Sequence, residues 1–253
     1  MIITCINQKG GVGKTTTADT IASYLSHKGE KVLSIDLDPQ GNLTTAFRAP
    51  MGEGIVESLR GNAPISKAIV STDKGDLIPS SNFLRDAGEI LTATGREFRL
   101  KKLLDEVKDN YAHIVIDTPP ALDILTINAL TATDKVVVVA QADVYSISGL
   151  SKLFEAISLV REFTNKDLAI DGILITRYNA RTNVSKEIFE TFQKIAKEIQ
   201  TRVYTTPIRE GIKIKEVQAS QGNLFLDYPK EKVTEDYRLF IHELLGGEYG
   251  EEI

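Results

Sequence analysis

MIITCINQKGGVGKTT, residues 1–16, joins an Ile-rich apolar run to a glycine-rich turn and then to the opening of an amphipathic stretch, Thr15–Lys28. Met1–Asn7 has the composition of a buried strand, and Lys9–Thr16, KGGVGKTT, follows it directly. The turn fits the phosphate-binding pattern G-x-x-x-x-G-K-[ST] except at the pattern's first glycine, where this chain has Gln8. The physics survives that departure. Gly10, Gly11 and Gly13 carry no Cβ that would keep backbone amides from turning toward an anion. With the amide of Val12 and the N-terminus of the next helix, they form an anion cradle. Lys14 then falls where it reaches β- and γ-phosphates, Thr15 where its hydroxyl ligates magnesium, and Thr16 near an α-phosphate.

Outward from this turn, short apolar runs alternate with longer helical patterns. Lys31–Asp36, His113–Asp117, Lys135–Gln141 and Ile170–Thr176 are rich in Val and Ile without strict alternation, as suits parallel strands covered on both faces. Glu97–Val107, Gly149–Phe163 and Ser185–Gln200 read as helices. The order predicts an α/β fold with a mostly parallel twisted sheet and helices on both faces. Residues 49–81, punctuated by Gly and Pro, read as surface helices and loops. No repeat or linker interrupts the chain, so residues 1–253 are expected to form one domain.

Two further strand ends carry acids, and strand ends in such sheets face the ligand crevice. Asp117 closes IVID ahead of Thr118-Pro-Pro and is expected to hold a magnesium-bound water; its bland alternative is a helix cap. Ile35–Asn42, IDLDPQGN, gathers two carboxylates and two amides. Asp38 is the candidate for positioning or activating an attacking water. Asp36 is the candidate for orienting the loop or the metal's water shell, against the plainer reading of a polar turn.

Composition narrows the class. Apolar residues are 42% and charged residues 26% of the chain, the balance of a soluble globular protein with a sizeable core. No run of eighteen apolar residues exists, and the N-terminus lacks the pattern of a secretory signal. Cys5 is the single cysteine, which excludes an internal disulfide and points to a reducing, cytoplasmic location with a small buried core residue. His27, His113 and His242 are scattered, with no spacing that suggests catalysis or metal ligation.

KGGVGKTT, IDLDPQGN and IVIDTPP together resemble the deviant Walker A ATPases of the ParA/Soj type, in the MinD/ParA superfamily of P-loop NTPases. The likeness continues through TINALTATDKVVVVAQ, ITRYNARTNVS and IREGIKIKEVQASQGNLFLDYP, so it covers nearly the whole chain. It implies an ATPase that uses ATP and Mg2+, weak until stimulated by a ParB-type activator. Lys9 matches the family's signature lysine, which implies an ATP-sandwich homodimer with Lys9 reaching the partner's phosphates. Asp38 matches the acid needed for hydrolysis. Thr206–Gly211 matches the loop that packs on adenine, with Pro207, Ile208, Arg209 and Glu210 as candidates; relatives often carry Pro-Arg-Asn where this chain has Ile-Arg-Glu.

The charge map adds a possible DNA surface. Arg177–Lys215 holds nine Lys or Arg against four Glu, a local +5 in a chain of net −5. Arg181 matches a family position implicated in non-specific binding to double-stranded DNA, and Arg202, Arg209, Lys213 and Lys215 could extend the patch. Neutralising a phosphate backbone needs only such a patch and no base readout; the bland alternative is a solvated helix face. The expected function is therefore partition of a plasmid, chromosome or other cargo by a cytoplasmic, nucleoid-associated ATPase. A MinD-like membrane regulator is opposed by the acidic end, GGEYGEEI, and a metallocluster-insertion ATPase by the lone cysteine. No helix-turn-helix precedes the first strand.

Overall fold

The computed structural model describes residues 1–143, 146, 147 and 149–247. Its centre is one seven-stranded sheet in the order β3-β4-β2-β5-β1-β6-β7. The strands are β1 (Ile2–Ile6), β2 (Val32–Asp36), β3 (Val70–Thr72), β4 (Gly75–Ile78), β5 (His113–Asp117), β6 (Lys135–Gln141) and β7 (Ala169–Thr176). Every pairing is parallel except β3 with β4. The α/β sheet expected from the strand–helix alternation is present.

The uninterrupted apolar runs follow from coverage of both faces. Along β6, Val137 and Val139 join Ile3, Cys5 and Leu174 in a core beneath α1 (Lys14–His27) and a C-terminal helix, Lys232–Leu244. Val136, Val138 and Ala140 point the other way, into a core with Leu153, Ile157 and Phe192 from helices Leu150–Phe163 and Asn183–Glu198. Successive residues of a strand face opposite sides, so a strand buried on both must be apolar throughout. A third cluster packs Leu33, Ile35, Ile114 and Ile116 against helices Gly54–Arg60, Arg99–Asp105 and Ile124–Ala132. Cys5 is fully buried, as its strand position implied.

Residues 49–81 need correction. Gly54–Arg60 is a helix, but Val70–Thr72 and Gly75–Ile78 are strands, and Ile55, Val56, Leu59 and Ile65 are core rather than surface. β4 is only Gly-Asp-Leu-Ile, too short and mixed to signal a strand by itself. It is a strand because β2 offers a free edge with which Asp76, Leu77 and Ile78 pair. Of the acidic end, residues 248–253 lie outside the described residues.

Candidate functional site

The carboxyl ends of β1, β2, β5, β6 and β7 meet along one edge of the sheet, and each delivers a polar group there. β1 leads into the glycine turn. Gly11 has φ 74° and Gly13 φ 100°, both left-handed, and Gly13 is the residue from which α1 departs. The turn's carbonyls are consumed by strand-end side chains: Thr176 Oγ1 donates to the Val12 carbonyl at 2.7 Å and Gln141 Nε2 to the Gly11 carbonyl at 3.0 Å. Asn7 bonds the Val139 carbonyl at 2.7 Å and accepts from the Lys9 amide at 3.0 Å. A Cβ built on Gly10 or Gly11 would meet no atom within 4 Å, so the turn is open at both positions.

Beneath the turn the charges are crowded and dry. Lys14 is 6% exposed, with Nζ 3.4 Å from the Lys9 carbonyl. Burial pulls its ammonium below the usual lysine range, while the charges of Asp117 and Asp38 hold it up. Asp36 and Asp117 stand side by side across β2 and β5, both fully buried. Burial, then the charge of Asp36, drives the Asp117 carboxyl well above the ordinary range, with Thr15 and Lys14 opposing. Neither Asp117 oxygen has a well-formed hydrogen-bond partner. Asp36 is raised to about 6, again mainly by burial, although Thr44 Oγ1 donates to its Oδ2 at 2.7 Å, the Thr44 amide at 2.8 Å, and the Asp38 amide donates to its Oδ1 at 3.1 Å. Asp36, a candidate for the metal's surroundings, thus spends both oxygens on its own loop.

These donors suit a small hard cation. Among the described residues no three His, Cys, Asp or Glu gather as a metal cage. Magnesium at a phosphate site needs none: it takes one or two protein oxygens and completes its shell with phosphate and water. The Thr15 hydroxyl and the orphaned Asp117 carboxylate supply that kind of pair.

The turn forms one wall of a cleft of about 620 Å3, within the range of small-molecule sites. Gly10 through Thr16, Asp38, Gln40 and Thr176 line one end, and Ile208, Arg209, Glu210, Ile214 and Gln218 the other. Pro207, half-buried, precedes that second wall. Thr16 Oγ1 accepts from Gln218 Nε2 at 2.7 Å, joining the two walls. Arg209, on the cleft wall, also makes a two-pronged pair with Asp236, both contacts 2.6 Å.

The basic residues differ in what surrounds them. Arg202 is clamped by Asp171 at 2.8 Å and by Glu243, Lys213 pairs with Glu216 at 2.8 Å, and Lys215 lines the cleft beside Arg177. Arg181 is exposed on the turn before the Asn183–Glu198 helix. Lys9 reaches sideways within its own chain, Nζ 2.6 Å from Asp143.

Sequence reasoning passed over Gln141 and Thr176, although their place at strand ends was the available signal. It had none for Asp143, Gln218 or Thr44, whose parts depend on tertiary approach.

A family model described as an AAA domain matches residues 1–170. The sporulation initiation inhibitor protein Soj of Bacillus subtilis (strain 168) is 38% identical, covering 93% of this chain and 94% of its own length. The chromosome-partitioning ATPase Soj of Treponema pallidum (strain Nichols) is 37% identical, covering 83% of each. Among solved structures, one described as cobyrinic acid a,c-diamide synthase from Mycobacterium smegmatis, with bound ATP analog and magnesium, superposes with a TM-score of 0.84. It shares 33% identity over 96% of this chain and 93% of that one.

Proposed function

This chain belongs to the ParA/Soj family of P-loop ATPases, and on that premise we propose that it is a partition ATPase, binding ATP with Mg2+ and hydrolysing it to cycle between a DNA-bound homodimer and free monomers. The observation that carries the reading is a buried lysine, Lys14, set beneath a glycine cradle together with Asp38 and an unpartnered Asp117.

The chain's own groups divide the work. Amides of Gly10–Thr16 and the Lys14 ammonium bind the phosphates. Thr15 and Asp117 would hold the cation, which would supply positive charge to offset that of the phosphates. Asp38, hydrogen-bonded by the Gln40 amide at 3.0 Å, orients the attacking water and accepts its proton. Asp36 keeps that loop closed through Thr44. Ile208 and Ile214 offer an apolar wall to the base, flanked by Arg209 and Glu210.

Lys9 must exchange Asp143 for phosphates of the facing subunit, which couples dimerisation to the triphosphate state. Arg181 leads the contact with DNA; Arg202 and Lys213 are already engaged with acids, which narrows the patch. A ParB-type activator would accelerate a slow basal rate, and the protein would work in the cytoplasm on the nucleoid, moving a plasmid, chromosome or other cargo. No helix of the described residues is long and apolar enough to cross a membrane.

The test is binding to duplex DNA of random sequence. With MgATP the wild type binds and weakens steeply with salt, and Arg181→Glu loses roughly tenfold or more in affinity. Nucleotide-independent binding, or vesicle co-sedimentation with no DNA binding, would overturn the partition reading.

A further inference from the structure

Asp38 sits in a loop, and an acid that must aim a water needs its backbone fixed to within a fraction of an ångström. The loop fixes part of this itself: the Gly41 amide donates to the Asp38 carbonyl at 2.9 Å, and the Asp38 amide to Asp36 at 3.1 Å. The remaining restraint comes from outside the loop. Ser80, fully buried just past the end of β4, donates its hydroxyl to the Asp38 carbonyl at 2.6 Å. Its own amide donates to Thr44 Oγ1 at 2.9 Å, the hydroxyl that in turn donates to Asp36.

Ser80 therefore grips both ends of the Asp36–Thr44 loop, one through its hydroxyl and one through its amide. It does not line the cleft, so it has no contact to offer a nucleotide. β4 brings it there by pairing with β2, whose end launches the loop. The Ser80 carbonyl accepts from the Gly52 amide at 3.1 Å, which anchors the clamp on the far side as well. The Ser80 hydroxyl can be removed without deleting a backbone group or an acid, and it is the one that bonds the Asp38 backbone directly.

From this geometry we infer that Ser80 is a positioning residue for ATP hydrolysis, acting through the Asp38 backbone to hold the carboxylate on its water. The inference rests on the ATPase reading above and on Asp38 as the acid. Loss of one positioning hydrogen bond at a reacting group corresponds to roughly a tenfold change. Ser80→Ala should thus lower kcat for MgATP roughly tenfold while KM and nucleotide Kd stay within about twofold.

Ser80→Cys, close in shape but a far weaker donor, should show the same split and serves as the second arm. In an Asp38→Ala background, Ser80→Ala should change the single-turnover rate no further, because the group it positions is gone. A merely structural serine would instead give the same proportional loss in both backgrounds. Unchanged kcat in the single variants, a loss shared between kcat and affinity, or failure of both variants to fold would overturn the inference. Absence of hydrolysis in the wild type would sink the ATPase reading instead, so the two failures are separable.

Discussion

Lys14 carries two opposed demands. It must be dry enough for its charge to act strongly on a phosphate, yet burial alone disfavours the charged ammonium. The charges of Asp117 and Asp38 oppose that effect, and Lys14 in return opposes the rise at Asp117. Binding and hydrolysis therefore separate by residue. Lys14→Ala should weaken MgATP binding by roughly a hundredfold or more in calorimetry, since it removes a charge-assisted contact and leaves buried acids uncompensated. Asp38→Ala should keep binding within a few-fold while kcat falls on the order of a hundredfold or more. Equal loss of binding in both variants would contradict this division. At this scale the sequence was most informative for the glycine turn and the strand-end acids, because backbone-led phosphate binding and crevice-facing strand ends have fixed local spacing. Asp36 was harder: its place at a strand end was plain, but the Thr44 hydroxyl that occupies it lies eight residues on and finds it only by folding.

At the scale of elements, β7 and the C-terminal helix Lys232–Leu244 are joined by a compact ion network. Asp171 receives Lys135 at 3.0 Å, Arg202 at 2.8 Å and the Tyr204 hydroxyl at 2.7 Å, and Arg202 continues to Glu243. Tyr204 then stacks edge-on against Phe240, ring centroids 4.7 Å apart. Burial would raise the Asp171 carboxyl, but the hydrogen bonds from Tyr204, Arg202 and Lys135 outweigh it and hold it below the ordinary 3.8. A carboxyl depressed in the folded state contributes stability that is fully present above its unfolded value and vanishes as pH falls through the folded one. Asp171→Ala should therefore cost about 2 kcal/mol in urea unfolding at neutral pH. The two curves should converge as pH drops below 3.8; a gap independent of pH would assign the loss to packing. The network also shows something local composition cannot: an acid thirty-one residues upstream pairs with Arg202, one of the charges counted toward a DNA surface. The same blindness hid β3 and β4, whose strand character comes from β2's edge rather than from their own residues.

For the whole molecule, the topology puts nucleotide chemistry along one sheet edge and leaves the output to the surface around it. The same fold, at a TM-score of 0.84, belongs to a structure described as cobyrinic acid a,c-diamide synthase with bound ATP analog and magnesium, so the fold specifies the phosphate machinery and not the work it drives. On the proposed reading, the residue that turns that machinery into a partition switch is Lys9, which is half-exposed and paired with Asp143 of its own chain, and which a second subunit's phosphates would draw away. A surface pair of this kind is worth no more than about 1 kcal/mol, small enough for a facing triphosphate to displace. The most direct test is the solution mass of Asp38→Ala, which should bind but not consume its nucleotide, measured by light scattering with and without MgATP. The account predicts one chain without nucleotide and two with it, and a return to one chain when Lys9→Ala is added. A nucleotide-saturated protein that stays at the mass of a single chain would contradict it.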